Sequence, residues 1–427
     1  MINTSNLIDY IISTSDRREA YYIDMIRYHL GGKIYHYGDQ FNFDKNAKYK
    51  RRFVLIDVFE YLIVKIALYF SQNTNRSDQK KILSSASSSW NEHLKNSGYN
   101  VFRPPWDLRR DLKIDCTLGL YLLTKRVKYE LDYANFNYLV SCDFIQILEE
   151  YHKQLELYCD EMNFDAVIVL QYNGFFERCV LNIFKDHRKR SFFWHHGGVP
   201  TFYDPRFESR ADYFIMWGKA QVDSYIQMGY NPEKFLISGH PIYNSAPKEI
   251  QFSLENVLIL TKSLLGVSPL ESPHIEDRGN AIMYLYSIKK VLKKHNVKSV
   301  RLRPHPSENF SWYSKYLDSE FFKEDNESLY DSIKASSLVI GPASTMIIDT
   351  LKHEIAYLIY EPVIQGKSIL GWPLTPPVNG QREDFPVAQS EQCLYDYIDN
   401  KKSCSLKAYS DLVKTPRDIT FFDNILK

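Results

Sequence analysis

What the chain lacks narrows its function first. Its 427 residues hold 53 Lys and Arg against 52 Asp and Glu, for a net charge of +1. No global basic field of the kind nucleic acid attracts is present, and none is expected as a partner. The six cysteines (Cys116, Cys142, Cys159, Cys179, Cys393, Cys404) include no close CxxC pair. Most lie in apolar or amphipathic surroundings, so buried free thiols in a reducing compartment are expected. No internal repeat or low-complexity tract occurs. The first residues, MINTS, have neither a basic run nor a long apolar core, so no signal peptide is expected. The most apolar segment, Phe53 to Phe70, carries Asp57, Glu60 and Lys65, which marks a buried or amphipathic helix and not a membrane span. A cytoplasmic protein is the expectation.

Length implies two domains. Residues 1 to about 150 read mostly helical, with apolar positions at three- and four-residue spacing. Lys45 to Arg52 (KNAKYKRR) is a local basic run, either a solvated loop or a patch that meets anionic lipid headgroups at the inner face of the plasma membrane. From about 150, short apolar strands alternate with helices, which argues for mainly parallel sheets covered on both faces. The expected boundaries are 1–245 (helical 1–150, Rossmann-like 151–245), 254–395 for a second Rossmann-like domain, and 396–427 for a helical tail. Tyr243 to Ser253 is the expected linker.

Two segments carry the strongest chemistry. Arg301-Leu302-Arg303-Pro304-His305-Pro306 follows a strand, and Gly341-Pro342-Ala343-Ser344-Thr345 lies between a strand and a helix. Both therefore sit past the carboxyl ends of strands, where open α/β sheets bind ligands. Two prolines fix His305 at little conformational cost, and imidazole, guanidinium, hydroxyls and free helix-end N–H groups together suit a phosphate. Structural alternatives are a rigid loop for His305 and a helix cap for Ser344 and Thr345. Lys262, at the end of the preceding strand, is a candidate second cation. Glu361, after the next strand, is a candidate for a ribose hydroxyl.

In the first half, Trp194-His195-His196-Gly197-Gly198 ends a strand and Tyr203-Asp204 follows. His195 and His196 are candidate general bases, with Asp204 to orient them. The spacing lacks the i, i+4 pattern of helical zinc ligands, so no metal is expected. Asn173, Glu177 and Arg178 lie at the preceding strand–helix junction, either capping the helix or lining an acceptor pocket. Gly239-His240-Pro241 is a candidate hinge, with His240 facing a cleft.

Taken in order, these motifs resemble the bacterial GT-B superfamily of capsule and lipopolysaccharide synthesis, which includes Kdo transferases, sialyltransferases and CDP-glycerol glycerophosphotransferases. The resemblance covers roughly residues 160 to 370. It implies two Rossmann-like domains with a cleft between them, plus the helical N-terminal region. It also implies that His305, Ser344 and Thr345 bind a cytidine nucleotide's phosphate. The Asp/Glu-Asp/Glu-Gly motif of the sialyltransferases is not evident, which leaves open whether His195 or His196, oriented by Asp204, acts as base, or, with retention of configuration, Asp204 or Glu177 acts as carboxylate nucleophile. The implied activity is transfer of a 2-keto sugar acid from a CMP-activated donor to a glycan or lipid-linked glycan acceptor, without a cofactor. A CDP-polyol phosphotransferase and an inactive nucleotide-binding protein are the alternatives.

Overall fold

The computed structural model describes residues 4–35, 51–71, 79–107, 116–170, 174–195, 197–199, 210–262, 279–306, 308, 310–365, 367–370 and 374–426. Its strands in chain order are β1 (Lys81–Ser84), β2 (Asn100–Phe102), β3 (Ala166–Val169), β4 (Arg190–Trp194), β5 (Tyr213–Met216), β6 (Phe235–Ile237) and β7 (Val257–Leu260). They continue with β8 (Val300–Arg303), β9 (Phe322–Glu324), β10 (Leu338–Gly341), β11 (Ala356–Tyr360), β12 (Val363–Ile364), β13 (Lys367–Ser368) and β14 (Val387–Ala388). Twelve form two six-stranded sheets, and β12 pairs with β13 in a small hairpin. The expected α/β class with two sheets and a helical N-terminal region is what the chain adopts.

By compactness the chain divides into two units. One comprises Met1–Trp194, Arg206–Phe214 and Phe422–Lys427, the other His195–Pro205 and Ile215–Phe421, so the division cuts within β5. All six cysteines are free, and Cys116, Cys159, Cys179 and Cys404 are buried.

The first sheet has the order β2-β1-β3-β4-β5-β6, with β1 parallel to both β2 and β3. Strands β1 and β2 come from the region expected to be mostly helical. At four and three residues they are too short for a period of two to stand out. Their placement reverses the winding between β1 and β3. The Cys142–Met162 helix packs against the Arg17–Met25, Leu118–Tyr133 and Phe175–Asp186 helices. Its start is set by Ser141, whose side chain accepts from Phe144 N, and its end by Asn163 in the left-handed region. Phe144, Ile145, Leu148, Tyr151, Leu155, Tyr158 and Cys159 form its buried stripe.

The second sheet has the order β9-β8-β7-β10-β11-β14, parallel throughout. Counted along the chain this is the 3-2-1-4-5-6 order of doubly wound sheets, with the switch between β7 and β10. Every residue of β7, β10 and β11 is buried. The alternation of side chains explains those unbroken apolar runs. Val257, Ile259, Leu338 and Ile340 enter one core, while Leu258, Leu260 and Val339 enter the core on the opposite face. Strand β8 departs from the pattern, with Arg301 and Arg303 on the face that Val300 and Leu302 leave.

Candidate functional site

The second sheet's switch point brings together three loops that are far apart in sequence. Strand β7 lies between β8 and β10, so its end meets the loops that follow both. Thr261 reaches one side: its Oγ1 accepts from His305 N at 2.9 Å and donates to Glu308 Oε2. Lys262 reaches the other, with Nζ donating to Ala343 O at 3.1 Å. Adjacent residues on one strand thus tie the His305 loop to the Gly341–Thr345 turn.

The His305 loop closes on itself through Glu308. Its N–H donates to His305 O at 2.8 Å, and its carboxylate accepts from His305 N at 3.2 Å and from the Tyr313 hydroxyl at 3.2 Å. Partial desolvation lowers the His305 pKa, opposed by Glu308. Thr261, Glu308 and Tyr313 were not singled out from sequence. Glu308 had a signal, since it stands three residues beyond His305 in a proline-fixed turn.

On the β10 side the turn is held from below. A Cβ on Gly341 would lie 2.4 Å from the Tyr357 hydroxyl, which donates to Pro342 O at 2.7 Å. Glu361, 1% exposed, accepts from Ala343 N at 2.8 Å, and its Oε2 has no hydrogen-bond partner among the described residues. Burial raises the Glu361 pKa against the opposing Lys262, and burial lowers that of Lys262 against the opposing Glu361. Desolvation therefore disfavours both charged forms, and each charge favours the other. Glu361 is buried beneath the turn, where it shapes the loop through the Ala343 amide. Ser344 Oγ accepts from Met346 N at 3.3 Å. Thr345 makes no side-chain cap, and its Oγ1 accepts from Gly198 N at 3.1 Å.

That last bond joins the histidine–glycine loop to the serine–threonine turn. A Cβ on Gly198 would stand 2.1 Å from Ile348 Cδ1 and 2.9 Å from Trp217 Cε3, so only glycine admits this approach. His195 braces the loop. Its Nδ1 lies 2.6 Å from Gly197 O, its Nε2 lies 3.0 Å from the Tyr225 hydroxyl, and its carbonyl accepts from Trp217 Nε1 at 2.7 Å. Nδ1 also faces two N–H groups, Gln221 Nε2 at 3.0 Å and Gly197 N at 3.3 Å. Gln221 also donates to Gly197 O. His195 thus has both ring nitrogens engaged in positioning the loop. His196, Asp204 and Asn173 lie outside the described residues.

These contacts bear on two expectations. Arg303 is held towards the β9 side, its Nη1 donating to Asp325 Oδ2 at 2.9 Å, Glu327 O at 2.8 Å and Ser332 Oγ at 3.2 Å. The strand alternation that places Arg301 on the same face gives it the other oxygen of Asp325, at 3.1 Å. His240 does not face open space. It is 6% exposed, its ring centroid 4.2 Å from that of Trp217, and burial followed by the charge of Lys352 lowers its pKa to about 4. The following linker is strapped down as well, through Tyr243 to Asp349 Oδ1 at 2.8 Å and Lys248 N to Glu354 Oε1 at 2.9 Å.

The first sheet's switch point, between β1 and β3, carries Glu177. The strand ends are joined there by Leu170 N donating to Ser85 Oγ at 3.1 Å. Glu177 bends back over the start of its own helix (Phe175–Asp186), with Oε2 2.3 Å from where a Gly174 Cβ would stand. Trp106 Nε1 donates to Oε1 at 3.1 Å. Burial raises its pKa to about 7, opposed by its own N–H and by Trp106. By solvent exposure Glu177 is part-buried. Arg178 does not pair with it, but donates to Asp24 O and Oδ2.

No family model matches the chain, and no curated protein matches it by sequence. Solved structures do. The lipopolysaccharide outer core galactosyltransferase WaaB is 9% identical over 81% of this chain and 98% of its own, with a TM-score of 0.44. MurG of Acinetobacter baumannii is 10% identical over 82% and 98%, with a TM-score of 0.43. The UDP-GlcNAc 2-epimerase of Neisseria meningitidis, solved with UDP-GlcNAc, is 10% identical over 81% and 97%, with a TM-score of 0.42. Scores and identities this low leave the functional argument to the chain's own residues.

Proposed function

We propose that the protein is a GT-B glycosyltransferase that transfers a 2-keto sugar acid from a CMP-activated donor to a bacterial surface glycan. The observation that carries this reading is the closure of four segments on the β7–β10 switch point: Thr261-Lys262, the His305 loop, the Gly341–Thr345 turn and the Gly197-Gly198 loop. Such an arrangement supplies an imidazole, a held lysine, two hydroxyls and turn N–H groups for a phosphate. The likeness of the His305 and Ser344-Thr345 motifs to those of cytidine-nucleotide enzymes supports the donor's identity.

In this mechanism the acceptor hydroxyl oxygen bonds to the donor's anomeric carbon as the bond from that carbon to the phosphate oxygen breaks. CMP leaves with the electron pair, and His305, Lys262, Ser344 and Thr345 stabilise its developing charge. The acceptor's proton passes to a base. Glu177 is the described carboxyl whose pKa suits that task, and His196 and Asp204 are the other candidates. His195 acts as a positioning residue. The enzyme requires no cofactor.

Thermal unfolding in the presence of CMP, CDP, UDP and GDP tests the reading. CMP should raise Tm in a concentration-dependent way, and UDP and GDP less so, because binding to the folded state stabilises by mass action. A preference for CDP over CMP would shift the assignment to polyol-phosphate transfer. A preference for UDP or GDP would overturn the cytidine reading.

A further inference from the structure

The Arg51–Ser71 helix turns its polar side inward and its apolar side out. Leu55, Ile56, Phe59, Leu62, Ile63 and Ile66 are all at least half exposed, with Leu55 at 73% and Phe59 at 65%. At about 100° per residue these six fall within an arc of about 120°, one continuous stripe. The opposite side is the one that packs. Asp57 is 7% exposed and lies 3.5 Å from Lys125 Nζ, and the Tyr61 hydroxyl donates to Cys116 O at 2.9 Å. Glu60, at the stripe's edge, is paired with Lys125 at 2.8 Å. Lys125 thus serves both acids.

Such a face is too large and too regular to be scattered surface hydrophobes. Among the described residues no helix is long and apolar enough to cross a membrane, and this one has Asp57, Glu60 and Lys65 in its middle. It can therefore lie in a membrane surface but not span it. The neighbouring sequence specifies the charge of that surface. Arg51 and Arg52 begin the helix, and the sequence just before them reads KNAKYK, with Lys45, Lys48 and Lys50. A basic run in sequence leading into an amphipathic helix matches a bilayer with anionic headgroups.

We propose that this helix docks the protein in the plane of an anionic lipid bilayer, with Phe59, Ile63 and Ile66 in the acyl boundary and the basic run on the headgroups. The inference does not depend on the glycosyltransferase reading.

The test is co-sedimentation of the full chain with vesicles of phosphatidylcholine alone or with about 40% phosphatidylglycerol. The anionic vesicles should bind at least about tenfold more protein, with part of that gain lost at high salt. The triple variant Phe59→Ser, Ile63→Ser, Ile66→Ser should lose at least about tenfold of the binding with its Tm unchanged, since the replaced side chains are exposed. If that variant folds poorly, Leu55→Ser with Ile66→Ser gives the same reading. The reversal Lys48→Glu, Lys50→Glu should abolish the preference for anionic vesicles. Absence of vesicle binding by the wild type, or equal binding by the serine variants, would overturn the proposal. So would a dimer that the serine variants convert to monomer, because a second copy would then cover the stripe.

Discussion

Single side chains separate binding from bracing. His305→Ala should weaken CMP binding roughly ten- to hundredfold, the loss of a strong phosphate contact, without loss of fold. Isothermal titration with circular dichroism checks both, and unchanged affinity in a folded variant would make His305 a structural loop residue. Glu177 offers a pH signature. Its carboxyl is raised to about 7 by burial. The folded state thus holds a proton that the unfolded state releases at a lower pH, and stability contributed by Glu177 falls as pH rises from about 4.5 to 7. The decline is at most about 3 kcal/mol. Glu177→Gln should remove that slope and be more stable than wild type at pH 8, as read by urea unfolding at pH 5 and pH 8. If Glu177 is also the base, the same variant loses roughly two to four orders of magnitude in turnover with near-normal CMP affinity.

At the scale of elements, β8 and β9 are joined by one buried carboxylate. Asp325 has 1% of its side chain exposed and takes both Arg301 and Arg303. Asp325→Ala should cost about 3 to 5 kcal/mol, because two partly buried guanidinium groups lose their counter-charge. Arg303→Gln should lower Tm and leave CMP affinity within about threefold, the outcome that separates a wall residue from a phosphate ligand. A much larger loss of affinity in the folded variant would return Arg303 to the site. The junction of the Gly198 loop with the Met346–Lys352 helix behaves differently. Gly198→Ala has no room beside Ile348, and denaturant unfolding should show a larger loss than Thr345→Ala, which removes one hydrogen bond worth about 0.5 to 1.5 kcal/mol.

Across the whole molecule, the residues assigned to the donor nucleotide all belong to the unit formed by His195–Pro205 and Ile215–Phe421. Hydrogen exchange should therefore show CMP protecting first the ends of β7, β8 and β10 and the Gly197–Val199 loop. Protection that begins instead at β1, β3 and the Phe175–Asp186 helix would place the nucleotide at the other switch point.

The chain's order of motifs determined much of this by itself. Fully apolar four- and five-residue runs such as Val257–Leu260 and Ala356–Tyr360 need cover on both faces, and that alone dictates an α/β sheet. Proline, glycine and hydroxyl residues after those runs mark the loops at the strand ends. What sequence could not decide is which strand ends meet. That depends on strand order, and the order placed β7 between β8 and β10, making neighbours of His305 and Ala343 through Thr261 and Lys262. Nor could it decide where a charged side chain spends its charge. Arg303 and His305 lie two residues apart, yet Arg303 is turned to a carboxylate beyond β9, contributed by another part of the chain. Burial depends on what packs from elsewhere, and so do the neutral His240, the carboxyl of Glu177 and the outward apolar stripe of the Arg51–Ser71 helix. Local spacing shows that a helix has an apolar face, and only the tertiary structure shows whether that face is covered.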